Sequence, residues 1–234
     1  KGKIEKEEEE EEAEVLTEQE TSVYRSGAAR ANYLSIDRAD IAFATKELCR
    51  RMACPTRQDL EPLARVARYL KGAPGVVYRF AWQQEEDLRA FVDTDFAGCL
   101  ATRRSTSGGC AKRGAHLIKH WSTTQKAVTL SSGEAELCGI VKGTAEALGI
   151  QSLGRDLGIE MRISIHTDSS AAAGICRRSG IGRVRHLAVG QLWVQEGLRR
   201  GDFRLFKVAG ADNPADLLTR HLAREVIDRH LEAL

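Results

Sequence analysis

The chain has 234 residues, of which 42% are hydrophobic and 29% are charged. That length allows one domain of ordinary size with a packed core, plus a smaller piece. No apolar run approaches the ~18 residues that a membrane span needs, and the acidic, polar start does not look like a secretory signal, so we expect no membrane association. Because the first residue is Lys1, we expect a fragment or a processed product.

The net charge of +2 is distributed unevenly along the chain. Residues 1–22 hold ten Glu and three Lys, a net of −7, so the remainder carries +9. A basic remainder suits a nucleic-acid partner, although many ordinary domains are equally basic. The six cysteines form no C-x-x-C pair and no Cys/His cluster with zinc-ligand spacing, which favours reduced, buried thiols in an intracellular protein.

The first third of the chain divides into two segments. Residues 1–22 include an unbroken Glu run over 7–12, which repels itself and predicts a disordered acidic tail. Residues 23–82 predict a small helical hairpin, because apolar residues recur with a helical period over 38–52 and again over 60–70. The stretch 76–82 then reads as a short strand.

Residues 83–222 predict an α/β domain. Three short strands over 88–94, 108–112 and 117–122 follow one another with brief connections, as in an antiparallel meander. Helices over 131–148, 169–178, 187–198 and 212–218 then alternate with strands over 161–166 and 203–208. Helical crossovers favour parallel pairing, so we expect a five-stranded mixed sheet flanked by helices. Residues 223–234 predict a C-terminal helix.

Acidic residues occur where these predicted strands end and helices begin. Asp93 and Asp95 alternate on one strand, so only one of them can face a given site. Asp168 closes a later strand, and functional groups of open α/β sheets gather at such ends. In Ser131-x-x-Glu134 a capping box would fold Glu134 back onto the Ser131 amide, which leaves Glu136 to lean toward the sheet.

Asp216 follows Pro214 in the first turn of a predicted helix, where an acid also stabilises the helix dipole. Taken singly, each of these acids is more often structural than catalytic. Together, carboxylates on separate elements converge readily only when divalent metal sits among them. Oxygen-only ligands favour Mg²⁺, or Mn²⁺, over zinc, and two such ions about 4 Å apart can promote phosphodiester cleavage.

Five stretches, in this order and spacing, resemble the ribonuclease H domain of copia-type retrotransposon Pol polyproteins. They are FVDTDFAGC (91–99), TRRSTSGG (102–109), HWSTTQKAVTLSSGEAEL (120–137), IHTDSSAA (165–172) and the closing segment 184–220. Residues 24–52 and the LARVARYLKG stretch resemble the segment that connects reverse transcriptase to ribonuclease H, so residues 23–82 are expected to be that connection and 83–222 a ribonuclease H-like domain.

The resemblance implies the fold, the site and the activity. Its metal-binding and catalytic acids fall on Asp93, Glu136, Asp168 and Asp216, with Mg²⁺ as the cofactor. The implied activity is endonucleolytic cleavage of the RNA strand of an RNA–DNA hybrid, with a reverse transcriptase polymerase in the same polyprotein as the partner. We therefore expect an intracellular, cytoplasmic location, with virus-like particles and the nucleus as further possibilities.

The sequence departs mildly from the family, which usually has Trp at Phe96 and Lys at Arg220. Several ribonucleases H use a flexible histidine near His186 to help product leave, and a helix-start histidine without that role is the alternative. Nucleic-acid contacts are predicted for basic and hydroxyl side chains that a solvated loop would explain equally well: Arg103, Arg104, Ser105, Arg183 and Arg185. Trp121 suits either core packing or base stacking.

Three functional hypotheses follow from the sequence. The first is a metal-dependent nuclease for RNA–DNA hybrids. The second is a catalytically degenerate module that binds nucleic acid or tethers the polymerase, although a pure binder has no need to concentrate acids near phosphates. The third is a different nuclease or integrase-like member of the same broad fold, whose acid pattern would normally lack the Glu on the first helix.

Overall fold

The computed structural model describes residues 14–180 and 189–234. Three helices come first: α1 (Glu18–Leu34), α2 (Ala39–Arg50) and α3 (Leu60–Gly72). The sheet strands are β1 (Asp87–Asp95), β2 (Thr106–Arg113), β3 (His116–Thr124), β4 (Arg162–Thr167) and β5 (Arg204–Lys207). The later helices are α4 (Ser132–Asp156), α5 (Ser170–Arg177), α6 (Trp193–Arg200) and α7 (Arg224–Ala233), and a 3₁₀ helix covers Pro214–Leu218.

The five strands form one mixed sheet in the order β3-β2-β1-β4-β5. Pairs β1–β2 and β2–β3 are antiparallel, whereas β1–β4 and β4–β5 are parallel, as their helical crossovers require. The predicted α/β fold with a five-stranded mixed sheet, of the ribonuclease H-like kind, is therefore confirmed. The strand β1 lies at the centre, so residues at its carboxyl end are surrounded by neighbouring elements.

Two layers of side chains cover the two faces of the sheet. On one face, Val92 and Trp121 pack with Leu137 and Ile140 of α4 in the main core. Trp121 is therefore a core residue and does not present a stacking face. On the other face, a second cluster joins Ala39 and Ala42 of α2 to residues of β2, the 3₁₀ helix and the carboxyl end: Cys110, Leu217, Leu218 and Leu234. Helix α2 is thus part of the sheet's own packing.

Several predicted elements differ from the structure in their bounds. Helix α1 begins at Glu18 with Thr17 as its cap, so residues 18–22 of the predicted acidic tail are helical. Residues 76–82 are not a strand. Val77 and Trp82 are exposed, and the segment pairs with none of the described strands. The predicted hairpin is a three-helix cluster, because α1 and α3 share a core with α2.

Ser131 caps α4, because its hydroxyl accepts from the Glu134 amide (3.4 Å), which is one half of the predicted capping box. In the other half, the Glu134 carboxylate accepts from the Leu130 amide (3.0 Å) and the Ser131 hydroxyl (3.0 Å) and not from the predicted Ser131 amide. All six cysteines carry free thiols, and Cys54 is exposed. Within the described residues, we find no helix with the length and apolar character of a membrane span.

Candidate metal centre

Asp93 and Asp168 are brought together by the register of two parallel strands. Phe91 of β1 pairs with His166 of β4, so two residues further along each strand the two aspartates lie side by side. Asp93 lies in the central strand of the sheet and is almost fully buried, with 2% of its surface exposed. Burial of an acid next to another acid is costly unless a cation or hydrogen bonds compensate for it.

Glu136 reaches the same place because α4 packs closely on β1. An added Cβ at Gly139 would come within 2.7 Å of the Thr94 hydroxyl, so only glycine permits this approach. The Thr94 hydroxyl also donates to the Ala135 carbonyl (3.2 Å), which ties the first turn of α4 to the end of β1. The side-chain amide of Gln125 donates to the same carbonyl (2.8 Å). Glu136, one residue further on, is directed at the sheet.

Carboxylate oxygens of Asp93, Glu136 and Asp168 all lie within 4.8 Å of one another. The oxygens around an octahedral Mg²⁺ ion lie about 3 to 4 Å apart, since each is ~2.1 Å from the ion. Oxygen Oε2 of Glu136 is buried and has no hydrogen-bond partner among the residues that the structure describes. A buried acceptor without a donor, facing two further carboxylates, fits a hard divalent cation, so these residues suit the Mg²⁺ or Mn²⁺ that the sequence predicts.

The electrostatics of the cluster agree with this assignment. Burial and then the negative charges of Asp93 and Asp168 together raise the pKa of Glu136 to about 9. Burial and then the charge of Asp93 raise the pKa of Asp168. The pKa of Asp216 is raised to about 6 by the same two causes. The protein therefore holds these acids in surroundings that disfavour their charged forms until positive charge is supplied.

The fourth predicted ligand, Asp216, approaches the cluster through the 3₁₀ helix but stands apart from the three. Asn213, fully buried, donates from Nδ2 to the Val92 carbonyl (3.0 Å) and accepts from the Ala215 amide (3.2 Å), which fixes this helix on β1. A Cβ at Gly108 would meet Leu218 at 2.8 Å, so β2 also depends on a glycine here.

Two residues beyond the predicted set contact the acids directly. The hydroxyl of Thr219, which is fully buried, donates to Oδ2 of Asp93. Nitrogen Nη2 of Arg220 bonds Oδ1 of Asp216 (2.6 Å) and lies 3.4 Å from Oδ2 of Asp93. Sequence reasoning missed both roles. The sequence did offer one signal for these roles. The Asn-Pro pair at 213–214 marks a capped turn, and that turn carries Asp216, Thr219 and Arg220 together.

The predicted nucleic-acid-binding residues fall into three groups. Arg103 and Arg104 are exposed on the loop between β1 and β2 and are free to meet a ligand there. Ser105 is a wrong prediction, because it is fully buried and its hydroxyl accepts from the Ala97 amide (3.0 Å), a contact that shapes this loop. Arg183, Arg185 and the predicted catalytic His186 lie outside the described residues.

No protein-family model matches the chain. Over 204 residues it is 32% identical to the "Retrovirus-related Pol polyprotein from transposon RE1" of Arabidopsis thaliana, covering 86% of this chain and 14% of that protein. It is 26% identical to the corresponding polyprotein "from transposon TNT 1-94" of Nicotiana tabacum, covering 88% of this chain and 16% of that one. The chain thus spans only a small part of the length of these relatives.

Among solved structures, the chain resembles the "foamy viral protease-reverse transcriptase in complex with RNA/DNA hybrid", with a TM-score of 0.50 and 11% identity. The match covers 81% of this chain and 25% of that one. At this level of identity the likeness shows the fold alone. The matched region is longer than the part of the chain that begins with β1 at Asp87, because it covers 81% of the chain. The likeness therefore includes some of the residues before the sheet.

Proposed function

We propose, from the premise that the chain belongs to the ribonuclease H domains of copia-type retrotransposon Pol polyproteins, that it hydrolyses the RNA strand of RNA–DNA hybrids with the help of divalent metal. One observation carries the proposal. Three carboxylates from β1, from α4 and from the end of β4 converge within 4.8 Å, and the buried Oε2 oxygen of Glu136 has no hydrogen-bond partner within the described part of the chain. No structural role explains that convergence.

In this proposal Asp93, Glu136, Asp168 and Asp216 hold the metal. Bound Mg²⁺, or Mn²⁺, would supply stabilisation of charge on the scissile phosphate and a more acidic water. The chain's own part is to hold the acids in place before substrate arrives. Thr219 fixes the orientation of Asp93, and the close packing of α4 on Gly139 sets the position of Glu136. Such preorganisation supplies much of the stabilisation in sites of this kind.

The basic loop beside the site would meet the nucleic acid. Arg103 and Arg104 are exposed near the carboxyl end of β1, and arginine side chains pair well with phosphate oxygens. Discrimination of RNA from DNA would come from 2′-hydroxyl contacts and from the shape of the hybrid. A role for His186 in product release stays a prediction from the resemblance.

The biological setting is also part of the proposal. The relatives are Pol polyproteins of transposons, and the solved structure of similar fold is a reverse transcriptase bound to a hybrid. We therefore propose that the chain works beside a reverse transcriptase polymerase in the same polyprotein, inside the cell, and removes the RNA template after copying. The cytoplasm, including virus-like particles, is the proposed location.

The proposal is tested with a labelled RNA–DNA hybrid, a matching RNA duplex and a matching DNA duplex, each with Mg²⁺, Mn²⁺ or a chelator. We expect metal-dependent cutting of the RNA strand of the hybrid only. Asp168→Asn should abolish cutting and keep the fold, whereas Asp156→Asn, an exposed acid at the far end of α4, should cut normally. Binding of the hybrid without cutting would indicate the degenerate module, and cutting of DNA would indicate a different nuclease.

A further inference from the structure

Arg220 lies on the acidic cluster itself. Its Nη2 nitrogen bonds Oδ1 of Asp216 at 2.6 Å and reaches Oδ2 of Asp93 at 3.4 Å, so one guanidinium bridges the two acids. Half of the Arg220 side chain is exposed, whereas the side chains of Asp93 and Asp216 are 3% and 15% exposed. The positive charge therefore covers two nearly buried negative charges from the solvent side.

Arg220 is the main positive charge at this acidic cluster. Among the described residues, Arg220 is the one cationic side chain that forms an ion pair with any of the four acids. The three oxygens that lie together come from Asp93, Glu136 and Asp168, and Asp216 is paired with Arg220 instead. The cluster thus has one side where oxygens of Asp93, Glu136 and Asp168 face one another, and a second side, between Asp93 and Asp216, that a guanidinium already occupies.

A guanidinium keeps its charge in a protein, because its pKa lies far above neutral pH. A divalent ion between Asp93 and Asp216 would therefore be repelled by Arg220 unless the side chain moves away. Room for that movement exists. Arg220 also lines a cavity of about 460 Å³ between α2, α3 and residues 217–227, and Glu47 and Asp59 line the same cavity.

We propose that Arg220 is a resident counter-cation of the Asp93–Asp216 side, and that it must withdraw before a divalent ion binds there. The inference rests on the proposed metal-dependent function and deepens it. Without nucleic acid, the chain takes one ion at Asp93, Glu136 and Asp168, and the second position stays closed. Arg220 then sets the order in which the site is filled, which makes it a positioning residue.

Ion counting in the absence of nucleic acid tests this directly. Mn²⁺ binding to the full chain is followed by electron paramagnetic resonance and by calorimetry, for the wild type and for Arg220→Gln. We expect one ion per wild-type chain at submillimolar Mn²⁺, and in Arg220→Gln a second ion whose affinity is raised at least 10-fold. Equal ion number and equal affinities in the two proteins would overturn the proposal.

Two further variants separate charge from packing. Arg220→Lys keeps the charge and should bind ions within about 3-fold of the wild type, so a glutamine-like result would also overturn the proposal. Arg224→Gln removes another exposed arginine, which pairs with Asp228 on α7 and forms no ion pair with the four acids, and it should leave ion binding unchanged.

A structural readout completes the design. In chelator, Arg220→Gln should unfold at a lower temperature than the wild type, because the acids lose their counter-charge. Mn²⁺ should then raise its unfolding temperature by more than it raises that of the wild type. A residue with only a structural role would lower the unfolding temperature equally with and without Mn²⁺, and that result would count against the proposal.

These measurements need no cleavage. If the chain fails to cut hybrids, the comparison of ion number between the wild type and Arg220→Gln still decides the role of Arg220. If neither protein binds Mn²⁺, both the role of Arg220 and the metal-dependent function are overturned together.

Discussion

The hydroxyl of Thr219 donates a hydrogen bond to Oδ2 of Asp93, and the two residues are 126 positions apart in the sequence. The bond joins the turn after the 3₁₀ helix to the end of the central strand. It occupies one oxygen of Asp93 and leaves the other for the cluster. Partners of this kind orient metal ligands, and their loss typically costs 10- to 100-fold in metal affinity.

Thr219→Val should therefore weaken metal binding about 10- to 100-fold while the fold is retained. The valine has the same shape but cannot donate to Asp93, which is left buried with one bond fewer. Thr219→Ser keeps the hydroxyl and should stay within a few-fold of the wild type. Calorimetric titration with Mn²⁺ measures both, and equal affinities for the valine and serine variants would contradict the role assigned to the hydroxyl.

The pKa of Glu136 predicts a pH-dependent cost to stability when metal is removed. Its pKa is raised from the ordinary 4.5 to about 9, so between these values the folded chain keeps a proton that the unfolded chain loses. The free energy of unfolding must then fall as the pH rises through that range. Glu136→Gln removes this cost, and in chelator it should exceed the wild type in stability by an amount that grows from pH 5 to pH 9.

At pH 9 we expect a gain of at least ~1 kcal/mol, or roughly 2–4 °C in unfolding temperature. Glu146 on the same helix provides a control of opposite sign. It is paired with Lys119 (2.6 Å), and its pKa is lowered despite partial burial. Glu146→Gln should lower the free energy of unfolding, and this loss should stay constant with pH at every pH well above 4.5. A gap between Glu136→Gln and the wild type that does not change with pH would refute the prediction.

Gly139 predicts a steric effect at the site. A methyl group there would come within 2.7 Å of the Thr94 hydroxyl, so Gly139→Ala should push α4 outward, lower stability by ~1 kcal/mol or more, and weaken metal binding. Gly149 lies on the same helix with open space around it, so Gly149→Ala should raise stability by ~0.5–1 kcal/mol through helix propensity. Denaturant unfolding and Mn²⁺ titration of both variants test the contrast; similar behaviour would contradict it.

The packing of α2 predicts that the sheet domain depends on the helices before it. A chain of residues 83–234 lacks Ala39 and Ala42, so the cluster around Cys110, Leu217 and Leu218 would be exposed. We expect it to unfold at least 10 °C below a chain of residues 14–234, or to aggregate. Addition of residues 14–82 as a separate polypeptide should restore part of the lost stability. Equal unfolding temperatures would show that residues 83–234 are independent.

Much of the sheet could be predicted because its signals are local. Alternation and turn residues located all five strands, and the resemblance placed Asp93, Glu136 and Asp168 on elements that the structure brings together. The strand predicted over 76–82 has no partner among the described strands, since strand pairing depends on distant segments. Ser105 was read as a loop residue, but its burial depends on how the chain folds back to the Ala97 amide.

The division of the acidic cluster was beyond sequence reasoning. Arg220 follows Asp216 by one helical turn, and an arginine at that spacing is ordinarily an exposed ion-pair partner. Its contact with Asp93 arises only because Asn213 holds the turn on β1. The consecutive glycines Gly108 and Gly109 were a usable signal that other elements pack closely on both faces of β2, because a strand glycine often marks close approach of a neighbour.

Helix α2 belongs by sequence to the segment before the sheet, and by packing to the sheet itself. A hinge between the two segments would have to break an apolar interface each time it bent. Helices α1 and α3 share a core with α2, and α2 in turn packs on Leu217 and Leu218. The turn that carries Asp216 is therefore supported from one side by a helix that precedes the sheet in the chain.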